Sequence, residues 1–363
     1  MTFAGRADFA YGNARLRARR GEILRDADYE RLFGAGGDAL LGALDATPYG
    51  RDVEAAGAGD PLRRLHAAIR LHWSRSLEEM RSFYAERARR LVDLLLSRFD
   101  IHNVVTVLRA QAGTKGPAGD ALLALMPVGW LVEPVAGETM RQNEFAGAVD
   151  LLAGRMPDRE QAETLRAAFG EYERTEDLAA LERAVVTDHV VRTTATLVAA
   201  GPDARALLAV VRREIDDHNL LVALRLQDAL AAGAETEPPP SATRLPGGSI
   251  PVAAFEVALH APAPTAVVRD LGRLSDGTWL PPLRRWAASS DLPALERELE
   301  RRRIADASAL FISGDPLAID VPIAYTAAKQ TEARNLRLLA EAAARGIDPE
   351  IIRRELLWPE ARA

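Results

Sequence analysis

Asparagine is scarce in this 363-residue chain, occurring only at Asn13, Asn103, Asn143, Asn219 and Asn335. Three of the five are evenly spaced, since 219 − 103 = 116 and 335 − 219 = 116. Each has an acid three residues before it: Asp100, Asp216 and Glu332. The first two copies read Asp100-Ile-His-Asn103-Val-Val-Thr-Val-Leu108-Arg109 and Asp216-Asp-His-Asn219-Leu-Leu-Val-Ala-Leu224-Arg225. The third, Glu332-Ala-Arg-Asn335-Leu-Arg-Leu-Leu, lacks the His and the distal Leu-Arg. A period of 116 is too long for a solenoid of short repeats, so it predicts three copies of a small domain. With the period as ruler the modules fall at 1–116, 117–233 and 234–363, the last with a Pro-rich entry.

The residues around each Asn draw one stripe along a helix. Val92, Leu95, Phe99, Asn103 and Val107 sit at i, i+3, i+7, i+11 and i+15. Leu208, Val211, Ile215, Asn219 and Ala223 fill the same places in the second copy, and Ala324, Ala327, Thr331, Asn335 and Leu339 in the third. That spacing returns to one helical face. An Asn within an apolar stripe must find hydrogen-bond partners, and three in matching places imply a shared structural role, the fixing of helix register by hydrogen bonds to the backbone of a neighbouring helix, with a polar functional site as the rival reading. The signature residues are therefore Asp100, Asn103, Arg109, Asp216, Asn219, Arg225, Glu332 and Asn335. The β-branched runs Val104-Val-Thr-Val and Val185-Val-Thr lie within helical patterns. Ala/Leu/Arg/Glu-rich stretches predict helices at 6–33, 62–112, 160–199, 203–232, 291–311 and 318–345. Gly and Pro mark connections at Gly113–Gly119, Met126–Gly137 and Glu235–Pro251, and Gly113 and Gly233 read as helix stops. The fold class is all-α.

Composition excludes several kinds of chemistry. There is no cysteine, hence no disulfide, thiolate nucleophile or Cys-type metal site. The net charge is −6, which makes nucleic acid a poor partner. Only Lys115 and Lys329 are lysines, so 46 − 2 = 44 basic residues are arginines, a composition bias that dilutes the meaning of arginine clusters. The runs Arg15–Arg20, Arg87–Arg90 and Arg301–Arg303 read as solvated helix faces near acids such as Glu296, Glu298 and Glu300, with contact of one run to acidic loops of a partner or to the membrane surface as the minority reading. Phe9 and Tyr11, opening the first helix, read as core by default, with contact to a partner as the alternative. The apolar stretch Ala121–Val132 is twelve residues, too short for a hydrocarbon layer of about 30 Å. Arg6 and Asp8 interrupt any signal-like N-terminus, and the expectation is a cytosolic chain.

Lys115 lacks the spacing of a phosphate loop, no dinucleotide glycine motif follows a strand, and neither His-Glu-x-x-His nor Glu-x-x-His occurs. His66, His72, His102, His189, His218 and His260 are the histidines. His102 and His218 occupy equivalent repeat positions, and a metal site there requires the two rings to converge; a duplicated half-exposed helix residue is the simpler reading. No catalytic, cofactor-binding or metal residue is assigned, and no small-molecule substrate is implied.

Four stretches resemble the C subunit of V-type (A/V-type) ATP synthases and ATPases, whose eukaryotic relative is the d subunit of the V-ATPase. They are Phe9-Ala-Tyr11-Gly-Asn13-Ala-Arg15-Leu-Arg17; Asp28-Tyr29-Glu-Arg-Leu32 with Leu41, Leu44, Thr47 and Tyr49; the helices of Asn103 and Asn219; and Glu332, Asn335, Arg337 with Arg345-Gly346-Ile347 and Glu350-Ile351-Ile352. The stretch 235–283 departs most from that pattern. The resemblance implies three similar helical domains round a pseudo-threefold axis, forming a funnel. It implies a non-catalytic central-stalk adaptor, without cofactor, that couples the central-shaft subunits to the membrane rotor ring for ion transport. It also implies a place on the inner face of the membrane, peripheral and cytoplasmic. The alternative is a general helical scaffold that binds a peptide or partner helix.

Overall fold

A computed structural model describes residues 7–113, 124–126, 128–231, 243–275 and 277–358. Among these residues every regular element is helical and there is no strand. The chain divides into two compact units, Met1–Val185 with Ala307–Ala363, and Val186–Asp306.

Among the described residues the helices come in three successive runs of one design, each with three shorter helices and then two long ones. The first run, after α1 (Ala10–Arg19), is α2 (Asp26–Leu32), α3 (Gly37–Asp45), α4 (Gly50–Ala55), α5 (Pro61–Ser82) and α6 (Glu86–Gln111). The second is α7 (Glu133–Met140), α8 (Phe145–Arg155), α9 (Arg159–Thr175), α10 (Leu178–Ala200) and α11 (Arg205–Ala231). The third is α12 (Val252–Leu259), α13 (Pro264–Leu271), α14 (Leu280–Ser289), α15 (Leu292–Ser313) and α16 (Asp320–Arg345), and α17 (Pro349–Glu355) follows. The signature asparagines ride on the last helix of each run: α6, α11 and α16.

An aspartate caps the first long helix of every run. Asp60 accepts from Arg63 N at 3.0 Å, Asp177 from Ala180 N at 2.9 Å and Asp291 from Ala294 N at 2.8 Å. Each satisfies an amide that the first helical turn leaves without a partner, worth about 1 kcal/mol. Gly113 stops α6 in the left-handed region at φ 73°, as its position implies, whereas Gly233 lies outside the described residues.

Several expected helices are divided. The stretch 6–33 breaks between α1 and α2, where Ile23 is extended and the Asp28 carboxylate accepts from Arg25 N at 2.8 Å to start α2. The stretch 62–112 breaks at 83–85, because Tyr84 turns inward: its hydroxyl donates to Asn13 Oδ1 at 2.7 Å and its ring packs edge-on to Phe9. The stretch 160–199 breaks at Glu176, which is left-handed at φ 57°. The connection expected over Met126–Gly137 is already helix from Glu133, since Pro134 fits a first turn whose amide needs no partner. Phe9 is buried as expected, but Tyr11 is 64% exposed.

Packing follows the runs. One apolar core joins Val104, Val107 and Leu108 of α6 to α7–α9 and to Leu181 and Val185. Another joins Leu220, Ala223 and Leu224 of α11 to Phe255, Val267, Trp279, Leu283, Trp286, Leu295 and Leu299. These cores open 220 − 104 = 116 residues apart, the asparagine spacing. Around the first run, α16 packs along α5 and also touches α1 and α3. The stretch Leu178–Leu230 contains an 18-residue window of mean hydropathy 1.3, of which 22% is buried. Length and composition alone would let it cross a membrane. It also carries Asp188 and Arg192, paired at 2.9 Å, and it is interrupted at Gly201, where φ is 67°.

Candidate functional site

Each signature Asn closes a two-point clasp on the main chain of a later non-helical segment, and not on a neighbouring helix as the stripe led one to expect. Asn103 Nδ2 donates to Met126 O at 2.6 Å, and Met126 N donates back to Asn103 Oδ1 at 2.7 Å. Asn219 makes the same pair with Leu245, at 2.9 and 2.8 Å, and Asn335 with Leu357, at 2.8 and 3.0 Å. All three asparagines are buried. Only a carboxamide has one donor and one acceptor placed to mimic a peptide partner, so it can replace a missing backbone neighbour inside an apolar stripe. Asn13, the fourth buried asparagine, plays a related part, for its Nδ2 donates to Pro316 O and Ala318 O, at 2.9 and 2.8 Å.

The acid three residues upstream holds a second point. Asp100 Oδ1 accepts from Trp130 N and Leu131 N, at 2.9 and 3.3 Å. Asp216 accepts from Ser249 N and Ile250 N, at 3.0 and 3.1 Å. A Cβ on Gly129 would collide with the Asp100 carboxylate, and one on Gly248 with that of Asp216, so these positions must be glycine. Gly129 also needs it for its φ of 94°. The third copy differs in one respect: Glu332 Oε1 accepts from Leu24 N at 3.2 Å. What residues close together in sequence supply to α6 and to α11 is supplied to α16 by two distant stretches, around Leu357 and around Leu24. In each copy a helix starts two residues later, at Glu133, Val252 and Asp26.

The arginines at the end of the signature make a third tie. Arg109 forks onto Glu182, at 2.6 and 2.5 Å, and Arg225 Nη2 reaches Glu296 at 2.5 Å. The equivalent residue in the third copy is Glu341, and its partner is His66 Nε2 at 3.0 Å, so the acid stands on the helix that carries the base in the other copies. The first two copies share one more tie. Gln111 and Gln227, also 227 − 111 = 116 apart, donate to Thr139 O and Ala261 O at 2.8 and 2.7 Å.

A buried ionic chain lies where α16 meets α5. Lys329 Nζ contacts Glu332 Oε2 at 2.8 Å and His72 Nε2 at 3.1 Å. His72 Nδ1 meets Asp52 Oδ2 at 2.9 Å, and Arg75 Nε donates to Asp52 Oδ1 at 3.2 Å. Tyr49 stacks on His72 with ring centroids 3.7 Å apart. Lys329, Glu332, His72 and Asp52 are all nearly inaccessible. Burial, with the neighbouring Lys329 ammonium acting the same way, holds His72 below the usual imidazole value and so neutral. In that form its Nδ1–H is donated to Asp52 and its Nε2 accepts from Lys329. Burial pushes Asp52 up, but the hydrogen bonds from His72 and Arg75 outweigh it and keep the carboxyl low. Burial also pushes Asp100 up to about 7 against its two amide donors, and it raises Asp216 in the same way.

The other singled-out residues stay apart from these clasps. His102 is exposed, with Nε2 3.4 Å from Ala124 O, and His218 is exposed on α11. Among the described residues no group of three His, Asp or Glu side chains is placed to hold a metal. Lys115 and most of the loop 113–119 lie outside the described residues. Of the basic runs, Arg15 lies 4.5 Å from the Phe83 ring centre, Arg89 pairs with Asp93 and Arg302 with Glu298. Sequence reasoning missed Asp52, His72 and Lys329 as a set. Lys329 was noticeable only as one of two lysines, and its helical position, i−3 from Glu332, was the available signal.

The arrangement is a set of ties between helices and loops, repeated in the first two copies and altered in the third at the acid, at the distal pair and at the glutamine. The family model described as the ATP synthase (C/AC39) subunit matches residues 12–355. The C subunit of the V-type ATP synthase of Thermus thermophilus is 32% identical over 352 residues, covering 97% of this chain and 99% of that one. The C subunit of the A-type ATP synthase of Haloferax volcanii is 26% identical, covering 98% of this chain and 99% of the other. That of Thermococcus kodakarensis is 22% identical over 95% of this chain and 89% of its own length. This chain belongs to the ATP synthase (C/AC39) subunit family, a structural and not a catalytic component.

Proposed function

We propose that this chain is a central-stalk adaptor of a V/A-type rotary ATP synthase, linking the central-shaft subunits to the membrane rotor ring so that rotation is coupled to ion transport. The observation that carries the reading is the end-to-end likeness to the family's C subunits, from residue 12 to residue 355. The repeated clasps support it. A part that passes torque has to be stiff, and helices tied at several points by buried two-way hydrogen bonds resist shear better than helices held by apolar contact alone. Three modules of the 116-residue period, at 1–116, 117–233 and 234–363, set round a pseudo-threefold axis as a funnel, would offer one face to a shaft and another to a ring. In this reading the chain lies on the inner face of the membrane as a peripheral part of the complex.

The test is co-expression of the tagged chain with the shaft and ring subunits, followed by purification in mild detergent. Both sets of subunits should copurify with the chain, and the chain alone should hydrolyse no ATP. Recovery of the chain without either set refutes the adaptor reading.

A further inference from the structure

Helices α5 and α16 run in opposite directions, as two cross-helix bonds record: His66 with Glu341 and His72 with Lys329. Arg70 lies between the two histidines on α5, and Arg337 lies between Lys329 and Glu341 on α16. The register thus brings two guanidinium groups towards one another. Arg70 is buried and Arg337 half-buried. Among the described residues neither Nε nor Nη2 of Arg337 has a hydrogen-bond partner, although both atoms are covered. The nearest acid one turn on, Glu341, is engaged by His66 at 3.0 Å and by Arg345 at 2.9 Å. Burial first, and the like charge of Arg70 second, hold the Arg337 guanidinium below its usual value.

The repeat makes this arrangement conspicuous. Arg337 is two residues after Asn335; two residues after Asn103 and Asn219 stand Val105 and Leu221. Leu221 is buried in the second core. Two copies of the design therefore fill the position with an apolar side chain, and the third puts a cation there with no anion paired to it among the described residues. A buried charge without a counter-charge is destabilising, and an apolar residue of similar volume is neutral or better. Departures from local rules with no structural return are expected at functional or strained sites.

We propose that Arg337, flanked by Arg70, receives a carboxylate from a partner protein: an aspartate or glutamate side chain that enters between α5 and α16 and forms a forked ion pair with the guanidinium. A planar carboxylate matches the two unpartnered nitrogens, Nε and Nη2, as a parallel pair of acceptors. Leu71, 42% exposed beside Arg70, gives the apolar margin that a protein surface would cover. The inference rests on reading the chain as one part of a larger assembly.

The test compares wild type with Arg337→Val, the residue type of the first copy. The purified variant should melt no lower than wild type, because it loses only an unpaired charge. Its capture of the co-expressed rotary-complex subunits should weaken by about tenfold or more. A lower melting temperature would assign Arg337 to the fold, and equal capture would remove it from the interface; either result overturns the proposal. Inorganic phosphate, titrated at fixed ionic strength, should move the melting of both proteins equally. Stabilisation of wild type alone by phosphate would mean a free oxyanion is the ligand, which also overturns it. If wild type captures none of the other subunits, the assembly reading fails and takes this inference with it, an outcome distinct from capture by both proteins.

Discussion

At the scale of single residues the clasps make opposite demands on carboxamide and carboxylate. In Asn103→Asp the donor to Met126 O, now 2.6 Å away, becomes an acceptor facing an acceptor in a buried site. The expected loss is about 3 kcal/mol at neutral pH, shrinking in acid as the new carboxyl takes up a proton. Denaturant midpoints at pH 7 and pH 4 check this, and unchanged midpoints would show that the clasp does not form. Asp100→Asn should be mild, because both amides it holds land on one oxygen, Oδ1, which a carboxamide retains. Asp100 also titrates in the folded protein at about 7, against 3.8 as its ordinary value. The folded state therefore keeps a proton that the unfolded state gives up first. Stability from this group is complete below pH 4 and is lost as pH rises towards 7, by at most about 1.4 kcal/mol per pH unit. Subtracting the melting profile of the Asn variant from that of wild type should isolate that slope. The asparagines were legible in the sequence because the residue is rare here and the spacing holds to the single residue. Their partners were not, since Met126, Leu245 and Leu357 contribute only main-chain atoms, which any residue possesses.

Between elements, the contact of α5 with α16 concentrates the buried charge. Lys329→Met leaves Glu332 buried with no cation beside it and His72 Nε2 without its donor. A loss of about 3 kcal/mol is expected, and the double change with Glu332→Gln should recover part of it. An additive double variant would mean that the two side chains act independently. His72 gives this contact a pH dependence opposite to that of Asp100. Its folded value is depressed, so the stability it confers is present above about 6.5 and is lost as pH falls below it. Asp52, also depressed, adds to the loss at still lower pH. The long helices were legible from their stripes, whereas the short ones were not. Runs of six to eleven residues such as α4 and α8 hold too few turns for a period to emerge, and Pro134, Pro264 and Pro349 sit at helix starts, where proline is compatible but reads as a break. The tie between Glu341 and His66 was hidden for another reason: exchanging the acid and the base between the two helices erases the letter pattern while keeping the interaction.

For the whole molecule, the period of 116 reached through every level, from asparagine spacing to clasp geometry to the starts of two apolar cores. The family expectation rested on short stretches and is met by a match over nearly the full length. In the proposed role the chain performs no chemistry; it transmits. That separates it from the catalytic head in a measurable way. The direct measurement is ATP-driven ion uptake and ATP hydrolysis, recorded together in membrane vesicles that carry the complex with or without this chain. The account predicts that removing the chain abolishes uptake while hydrolysis by the head persists. Uptake that continues undiminished without it would contradict the account.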